Sequence, residues 1–178
     1  MKLFGTDGIR GKVGESPITP SDMKKIGYAI AKTMFKNTVG TVHISNDGRA
    51  SAHEIEEALK YGIMRQGSIT QHHGLLSTPA LSYFLNESGP SKFIGIQITA
   101  SHNPYQDNGI KVFDKNGLKI TEQQESEIEN AFNHPGEESK NDIGHEGFDY
   151  TSRDLYVLAV RNYLRNKIQN ENNMKMLI

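Results

Sequence analysis

The chain is 178 residues long, sets 20 Lys+Arg against 21 Asp+Glu for a formal net charge of −1, and contains no cysteine. That length supports one hydrophobic core, and the near-neutral balance gives no basic surface for nucleic acid or an anionic membrane. The missing thiols exclude disulfides, thiolate metal sites and a cysteine nucleophile, and no run approaches the roughly 18 apolar residues of a membrane span.

Met1-Lys2 leads into a mixed, glycine-rich segment without a signal-peptide pattern, so a reducing cytoplasm is the expected compartment. Leu3 to Ser16, with Gly5, Gly8, Gly11 and Gly14, reads as a loop with little regular structure, whose cations are Arg10 and Lys12. Thr19-Pro20-Ser21-Asp22 opens a helix, with threonine as cap and proline in the first turn. Met23, Ile26, Ile30 and Met34 then recur at helical spacing as a core stripe. Thr41 to Ile44 reads as a short strand and Asn46 to Arg49 as a turn. Ser51-Ala52-His53-Glu54 reads as a second capping box, starting a helix whose inner face is Ile55, Ala58, Leu59 and Gly62 and which stops at Gly67.

A short strand follows from Ile69 to the neighbouring His72 and His73, whose spacing gives little support to a metal site. Thr78-Pro79 opens a short helix carrying Leu81, Phe84 and Leu85, ended by Ser88-Gly89-Pro90. Phe93 to Ile98 is an apolar strand. Ile110 to Phe113, the turn Asp114 to Gly117, and Leu118 to Ile120 read as a hairpin. Thr121-x-x-Gln124 caps a helix with Ile128 and Phe132 inside. His134 to Tyr150 reads as a polar surface connection, with Glu137-Glu138 solvated. Ser152 caps a last helix with Leu155, Leu158, Ala159 and Tyr163 as apolar contacts, Gln169 to Asn173 resembles a linker, and Met174 to Ile178 starts a strand-like run. Alternating strands and helices predict an α/β sandwich: a layered α/β/α fold on a mixed, mainly parallel sheet.

The chemistry concentrates between Ile98 and Lys111. Thr99-Ala100-Ser101-His102-Asn103-Pro104 places a serine on a polar turn directly after an apolar strand, and Asn108-Gly109 marks a second turn. The Gly-x-Ser-x-Gly elbow of hydrolases is absent. In extended chain His102 would point away from Ser101, a poor position for its base. A hydroxyl among donors and cations without a base suits a phosphoryl carrier. A plain polar loop between two strands is the alternative.

These residues resemble the α-D-phosphohexomutase family. Thr99 to Pro104 is similar to its phosphoserine loop, Asp47-Gly48-Arg49-Ala50-Ser51 to its Asp-x-Arg-x-Ser stretch, and Phe4 to Gly11 with Asp107 to Phe113 to the branch acting on glucosamine phosphates. The resemblance implies a phosphoserine at Ser101 that passes its phosphoryl group to a hexosamine phosphate and recovers another from the bisphosphorylated sugar. Glucosamine 6-phosphate and glucosamine 1-phosphate would interconvert, toward UDP-N-acetylglucosamine and cell-wall synthesis. It implies Arg10 in phosphoryl contact, Lys111 as a cation or in proton transfer, and His102 and Asn103 orienting the loop or contacting substrate. Magnesium is the implied cofactor, one ligand being the phosphate on Ser101, and a sugar 1,6-bisphosphate or other donor is the implied primer. Residues 1–173 would then be the first of four domains and 174–178 the start of a second, with domains II to IV expected in cis and this piece inactive alone. No nucleic acid or membrane partner is expected. A mutase for mannose or glucose phosphates, and a non-catalytic sugar-phosphate or protein-binding module, are the alternatives.

Overall fold

The computed structural model describes residues 1–36, 38–88, 92–135 and 142–175. In chain order these form β1 (Ile9–Lys12), α1 (Pro20–Met34), β2 (Thr41–Asn46), α2 (Ala52–Arg65), β3 (Ile69–Leu75), α3 (Thr78–Glu87), β4 (Phe93–Ile98), β5 (Asp107–Phe113), α4 (Glu122–Asn133), β6 (Glu146–Phe148) and α5 (Thr151–Lys175). The six strands make one sheet in the order β1-β5-β4-β2-β3-β6. β2 pairs parallel with both β3 and β4, and β3 pairs parallel with β6. β5 is antiparallel to both β4 and β1, so it alone runs against the rest. The predicted α/β class with a mixed, mainly parallel sheet is what the chain adopts.

Both faces of the sheet are covered, which is why β4 is buried at every position and reads as a continuous apolar run. Ile94, Ile96 and Ile98 of β4 enter the larger core with Ile44, Ile110, Met23, Ile26 and Leu59, beneath α1, α2 and α4. Phe93 and Phe113 face the other way, into a smaller core with Leu81, Phe84 and Leu85 of α3, against which Tyr156 of α5 packs. Two helices start as their sequences dictate: Thr19 accepts the Asp22 amide, and Thr121 with Gln124 completes a reciprocal capping box. Gly67, at φ 101°, follows the end of α2.

Several expectations are corrected. The glycine-rich N-terminal segment contains a real edge strand, β1, because Ile9 faces the core opposite Ile110 while Arg10 faces outward. Asn108 and Gly109 are not a turn but lie inside β5, opposite Gly11 and Arg10. The predicted hairpin after Phe113 shrinks to a single bridge between Phe113 and Lys119, flanked by backbone bonds from Asp114 to Leu118 and from Ile120 to Val112. Ser51 makes no capping bond to α2; its hydroxyl accepts from Asn108 Nδ2 at 2.8 Å instead. Ser77 and not Thr78 precedes α3. The polar connection before α5 carries the short strand β6, while Glu137-Glu138 and Gly89-Pro90 lie outside the described residues.

α5 departs furthest from the sequence reading. Ser152 is buried and does not cap it; Asp149 Oδ1 accepts the Thr151 amide at 2.8 Å and its hydroxyl at 2.7 Å. Leu155, Leu158 and Tyr163, expected as contacts, are exposed, and Tyr156 is the residue turned inward. The apolar residues of this helix form more than one stripe, so spacing alone does not fix its rotation. Residues 169–173 are helical rather than a linker, and Met174 and Lys175 continue the helix rather than open a strand. Residues 176–178 lie outside the described residues. No helix among the described residues is long and apolar enough to cross a membrane.

The start of α5 is tied to the sheet by a buried polar chain. His43 Nδ1 lies 2.8 Å from His73 Nε2, and His73 Nδ1 lies 3.0 Å from Ser152 Oγ. Phe84 packs on both rings. Burial is the main reason both imidazoles are pushed down to about 4, with His73 acting on His43 and His72 on His73 in the same direction and Asp149 opposing. In the unfolded chain they titrate near the ordinary value of about 6.5, so between roughly pH 6.5 and 4 the unfolded state binds more protons. Stability is therefore fully present above that window and is lost as pH falls through it, by at most on the order of 3 kcal/mol per ring. Urea unfolding from pH 7 to 4.5 should show this loss, with a clearly shallower slope in His43→Leu; a flat wild-type profile contradicts the neutral buried pair.

Candidate active site

Open α/β sheets bind ligands outside the carboxyl ends of their strands, where consecutive connections leave in opposite directions. Here β2 connects through α2 to β3 on one side, and β3 connects through α3 to β4 on the other side of β2. The crevice between β2 and β4 is thus the expected place. The chain emerging from β2 is Asp47-Gly48-Arg49, and that emerging from β4 is Thr99-Ala100-Ser101.

Ser101 is exposed and sits at φ 58°, in the left-handed region a non-glycine residue rarely occupies. Such backbone costs roughly 1–3 kcal/mol and persists only where the surroundings over-determine it. Its amide donates to Thr99 Oγ1 at 2.9 Å, and Thr99 Oγ1 donates to Asp47 Oδ2 at 2.7 Å. The Asn103 amide donates to the Ala100 carbonyl at 3.1 Å, closing the turn. The Asn103 side chain donates to Asp107 Oδ2 at 2.9 Å.

Arg49 holds this loop from the β2 side. Its Nη2 donates to the carbonyls of Ser101 at 2.9 Å and Asn103 at 3.0 Å, and its Nη1 to those of Pro104 at 2.8 Å and Asp107 at 2.9 Å. Its Nε donates to Asp47 Oδ2 at 3.1 Å. A guanidinium has five N–H donors in a rigid fork, and here each has an acceptor. Asp47 is the common anchor, accepting from Arg49 and Thr99 while its own amide donates to the Ile98 carbonyl.

A second set of side chains lies on β1, β5 and the turn before β1. Ile9, Ile110 and Val112 point into the larger core, so alternation turns Arg10 and Lys111 to the opposite face. Gly109 lies opposite Arg10, and a β-carbon on it would strike the Ile9 carbonyl and Arg10. Arg10 Nη2 and Lys111 Nζ both reach Asp7 Oδ2, at 2.9 and 2.6 Å. The Lys111 hydrogen bond is the chief cause holding the Asp7 carboxyl below its ordinary value, against partial burial and with help from the charges of Lys111, Arg10 and Lys119. Lys119 itself is engaged by the Thr6 carbonyl and Glu125.

The residues picked out from the sequence are thus distributed as follows. Arg10 and Lys111 are brought together through Asp7. His102 Nδ1 lies 3.4 Å from Ser101 Oγ, at the outer limit of a hydrogen bond. The expectation that the two side chains diverge fails because Ser101 is left-handed rather than extended. No carboxylate orients the other ring nitrogen among the described residues, so a serine–histidine–acid relay is not assembled. Asn103 is occupied within the loop. Arg49 was visible only as part of a short motif; the signal that could have found it is a forked cation where the chain leaves β2, one strand from the serine.

The described residues bring no three His, Asp or Glu side chains together around a cation. Asp107 is bound by Asn103, and Asp114 by its own turn at Asn116 and Leu118. His72 pairs with Glu56, and His73 with His43. An oxygen of a phosphate on Ser101 would be a single ligand, so these residues alone do not fit the implied magnesium.

A family model described as phosphoglucomutase/phosphomannomutase, alpha/beta/alpha domain I, matches residues 1–139. Curated relatives include a phosphoglucosamine mutase of Marinomonas sp., 46% identical over 136 residues, which are 76% of this chain and 30% of that protein. Another from Buchnera aphidicola is 42% identical over 134 residues, 75% of this chain and 30% of that one. The chain therefore spans less than a third of the length of these relatives. Among solved structures, a putative phosphomannomutase from Thermus thermophilus superposes with a TM-score of 0.73 at 26% identity, covering 90% of this chain and 35% of that one. A phosphoglucomutase/phosphomannomutase family protein from Burkholderia thailandensis shares the fold, with a TM-score of 0.72 at 24% identity over 88% and 34%.

If Arg49 is the clamp, Arg49→Lys should fail nearly as badly as Arg49→Ala, because an ammonium cannot span four carbonyls and a carboxylate. Losing even two net bonds of about 1 kcal/mol each should speed hydrogen exchange at the Asn103 and Asp107 amides by tenfold or more. Unchanged exchange in Arg49→Lys would show that charge alone suffices.

Proposed function

The chain belongs to the phosphoglucomutase/phosphomannomutase family through its α/β/α domain I, and from that premise we propose that Ser101 is the phosphoryl carrier of a mutase acting on glucosamine phosphates. The observation that carries the reading is the exposed Ser101 hydroxyl, held on a loop locked by Arg49 and Thr99 and lacking an assembled base. A nucleophile for hydrolysis needs such a base; a phosphoryl carrier needs fixed placement and cations.

In the proposed cycle the bond from Ser101 Oγ to phosphorus breaks as one sugar hydroxyl forms its own bond to phosphorus and gives up its proton. The bisphosphorylated sugar turns over in the site and returns its other phosphoryl group to Ser101. Arg10 and Lys111 offset the charge on the phosphoryl oxygens, and Lys111 is also the candidate for proton transfer at the acceptor hydroxyl. Asn103 shapes the loop through Asp107, and His102, beside the hydroxyl, orients it or meets substrate. Magnesium would supply further charge neutralisation when bound; its carboxylates would come from outside the described residues, and nothing in the roles above depends on it.

The preference for glucosamine rests on relatives at 42–46% identity named phosphoglucosamine mutase. The structural relative titled a putative phosphomannomutase, at 26% identity, keeps a mannose or glucose phosphate mutase as the second reading. We further propose that residues 1–178 act as the nucleophile-bearing domain, in the cytoplasm, and do not complete the cycle without the additional domains that the longer relatives have room for.

Intact mass after incubation of the full chain with a hexosamine 1,6-bisphosphate tests this. One phosphoryl group on the wild type and none on Ser101→Ala is expected. No phosphoryl group on the wild type even with the complete downstream domains present would favour the non-catalytic module, and mutase turnover by residues 1–178 alone would contradict the division of labour.

A further inference from the structure

Asp7 is half-exposed on the tight turn closed by the Gly5–Gly8 pairing, immediately before β1. Its Oδ2 alone receives both Arg10 Nη2 and Lys111 Nζ. Two cations converging on one oxygen is the arrangement a phosphoryl oxygen would take up between the same groups. The turn is fixed where it is: Gly8 is at φ 98°, and a β-carbon there would strike the Ile110 carbonyl of β5. Asp7 therefore has little freedom to withdraw with the backbone.

The pose they adopt is not fully satisfied. Arg10 Nε is buried and has no hydrogen-bond acceptor among the described residues, so holding Asp7 leaves one donor of the guanidinium unmatched, at a cost. Lys119, the other cation near the turn, is taken by Thr6 and Glu125 and does not compete for Asp7 at hydrogen-bond distance. The balance at this point is two positive charges against one built-in negative charge.

Resting on the phosphoryl-carrier reading, we propose that Asp7 is an internal counter-anion that competes with phosphate monoester dianions for Arg10 and Lys111. With Asp7 in place an incoming dianion meets a site of net charge +1; without it, one of +2. A carrier that must hand a phosphoryl group in both directions gains from this. Uniformly tight binding of the dianion lowers the energy of the bound intermediate without lowering the barrier out of it. Asp7 is thus a positioning and tuning residue, holding the two cations in reach while keeping their grip on the phosphoryl group reversible.

The probe is inorganic phosphate, titrated calorimetrically into the full chain with Ser101 unphosphorylated. Asp7→Asn keeps an acceptor oxygen on the turn but removes the charge, and phosphate should bind about tenfold tighter. Asp7→Ser should tighten binding too, and so stands in if the asparagine variant does not fold; Asp7→Glu should return to the wild-type value. Equal or weaker phosphate binding in the neutral variants overturns the proposal and leaves Asp7 a mere scaffold for the cations. The phosphoryl-carrier reading fails separately: tighter phosphate in Asp7→Asn with no phosphoryl uptake by Ser101 in the wild type supports the counter-anion and removes the carrier, whereas uptake without tightening does the reverse.

Discussion

The hydrogen bonds from Arg49 to the carbonyls of Ser101, Asn103, Pro104 and Asp107 are the constraint on which the site depends. A connection as short as the one between β4 and β5 must find partners for its backbone carbonyls, because unpaired polar groups near a protein interior are expensive. Backbone amides alone do not serve all four, although the Asp107 amide donates to the Pro104 carbonyl. A single planar fork does so, and its own direction is set by Asp47. Asp47 is in turn bonded to Thr99, the residue that accepts the Ser101 amide. The left-handed backbone at Ser101 is thus enclosed by bonds on both sides, which is how strain of this kind is maintained at a reactive position.

The sheet makes this possible through strand order. Parallel pairing of β2 with β4 brings their carboxyl ends side by side, so that Arg49 and Ser101, fifty-two positions apart, share one crevice. The reversed strand β5 then carries Lys111 back along the sheet, where it meets Arg10 of β1 through Asp7. Gly109 permits that close packing because a side chain there would collide with β1. One antiparallel strand in an otherwise parallel sheet thus begins directly after the serine loop and carries Lys111 to Arg10 and Asp7.

Much of this was legible in the chain itself. Ser101, Arg10 and Lys111 stand in segments whose residue types and order carry the family resemblance, and the helices α1 and α4 announce themselves through Thr19 and Thr121. Arg49 was hidden because its role is set by a partner strand distant in sequence. Asn108-Gly109 has turn composition but strand geometry: pairing with β1 outweighs local preference, and the Asn108 side chain is used to hold Ser51. Ser51 and Ser152 look like caps, yet tertiary partners claim both hydroxyls. On α5 the spacing of apolar residues marks a helix without saying which stripe packs inward, and the half-buried contact is Tyr156.

On the proposed reading, the forked cation at the end of β2 fixes Ser101 for phosphoryl transfer. This is tested most directly by the rate at which Ser101 of the full chain takes a phosphoryl group from a hexosamine 1,6-bisphosphate, in Arg49→Lys against wild type. Misplacement of a reacting atom by about 1 Å can cost on the order of a hundredfold, and a fall of that order with the overall fold intact is the predicted result. An unchanged rate in Arg49→Lys would contradict the account, because the loop would then hold Ser101 in place without the fork.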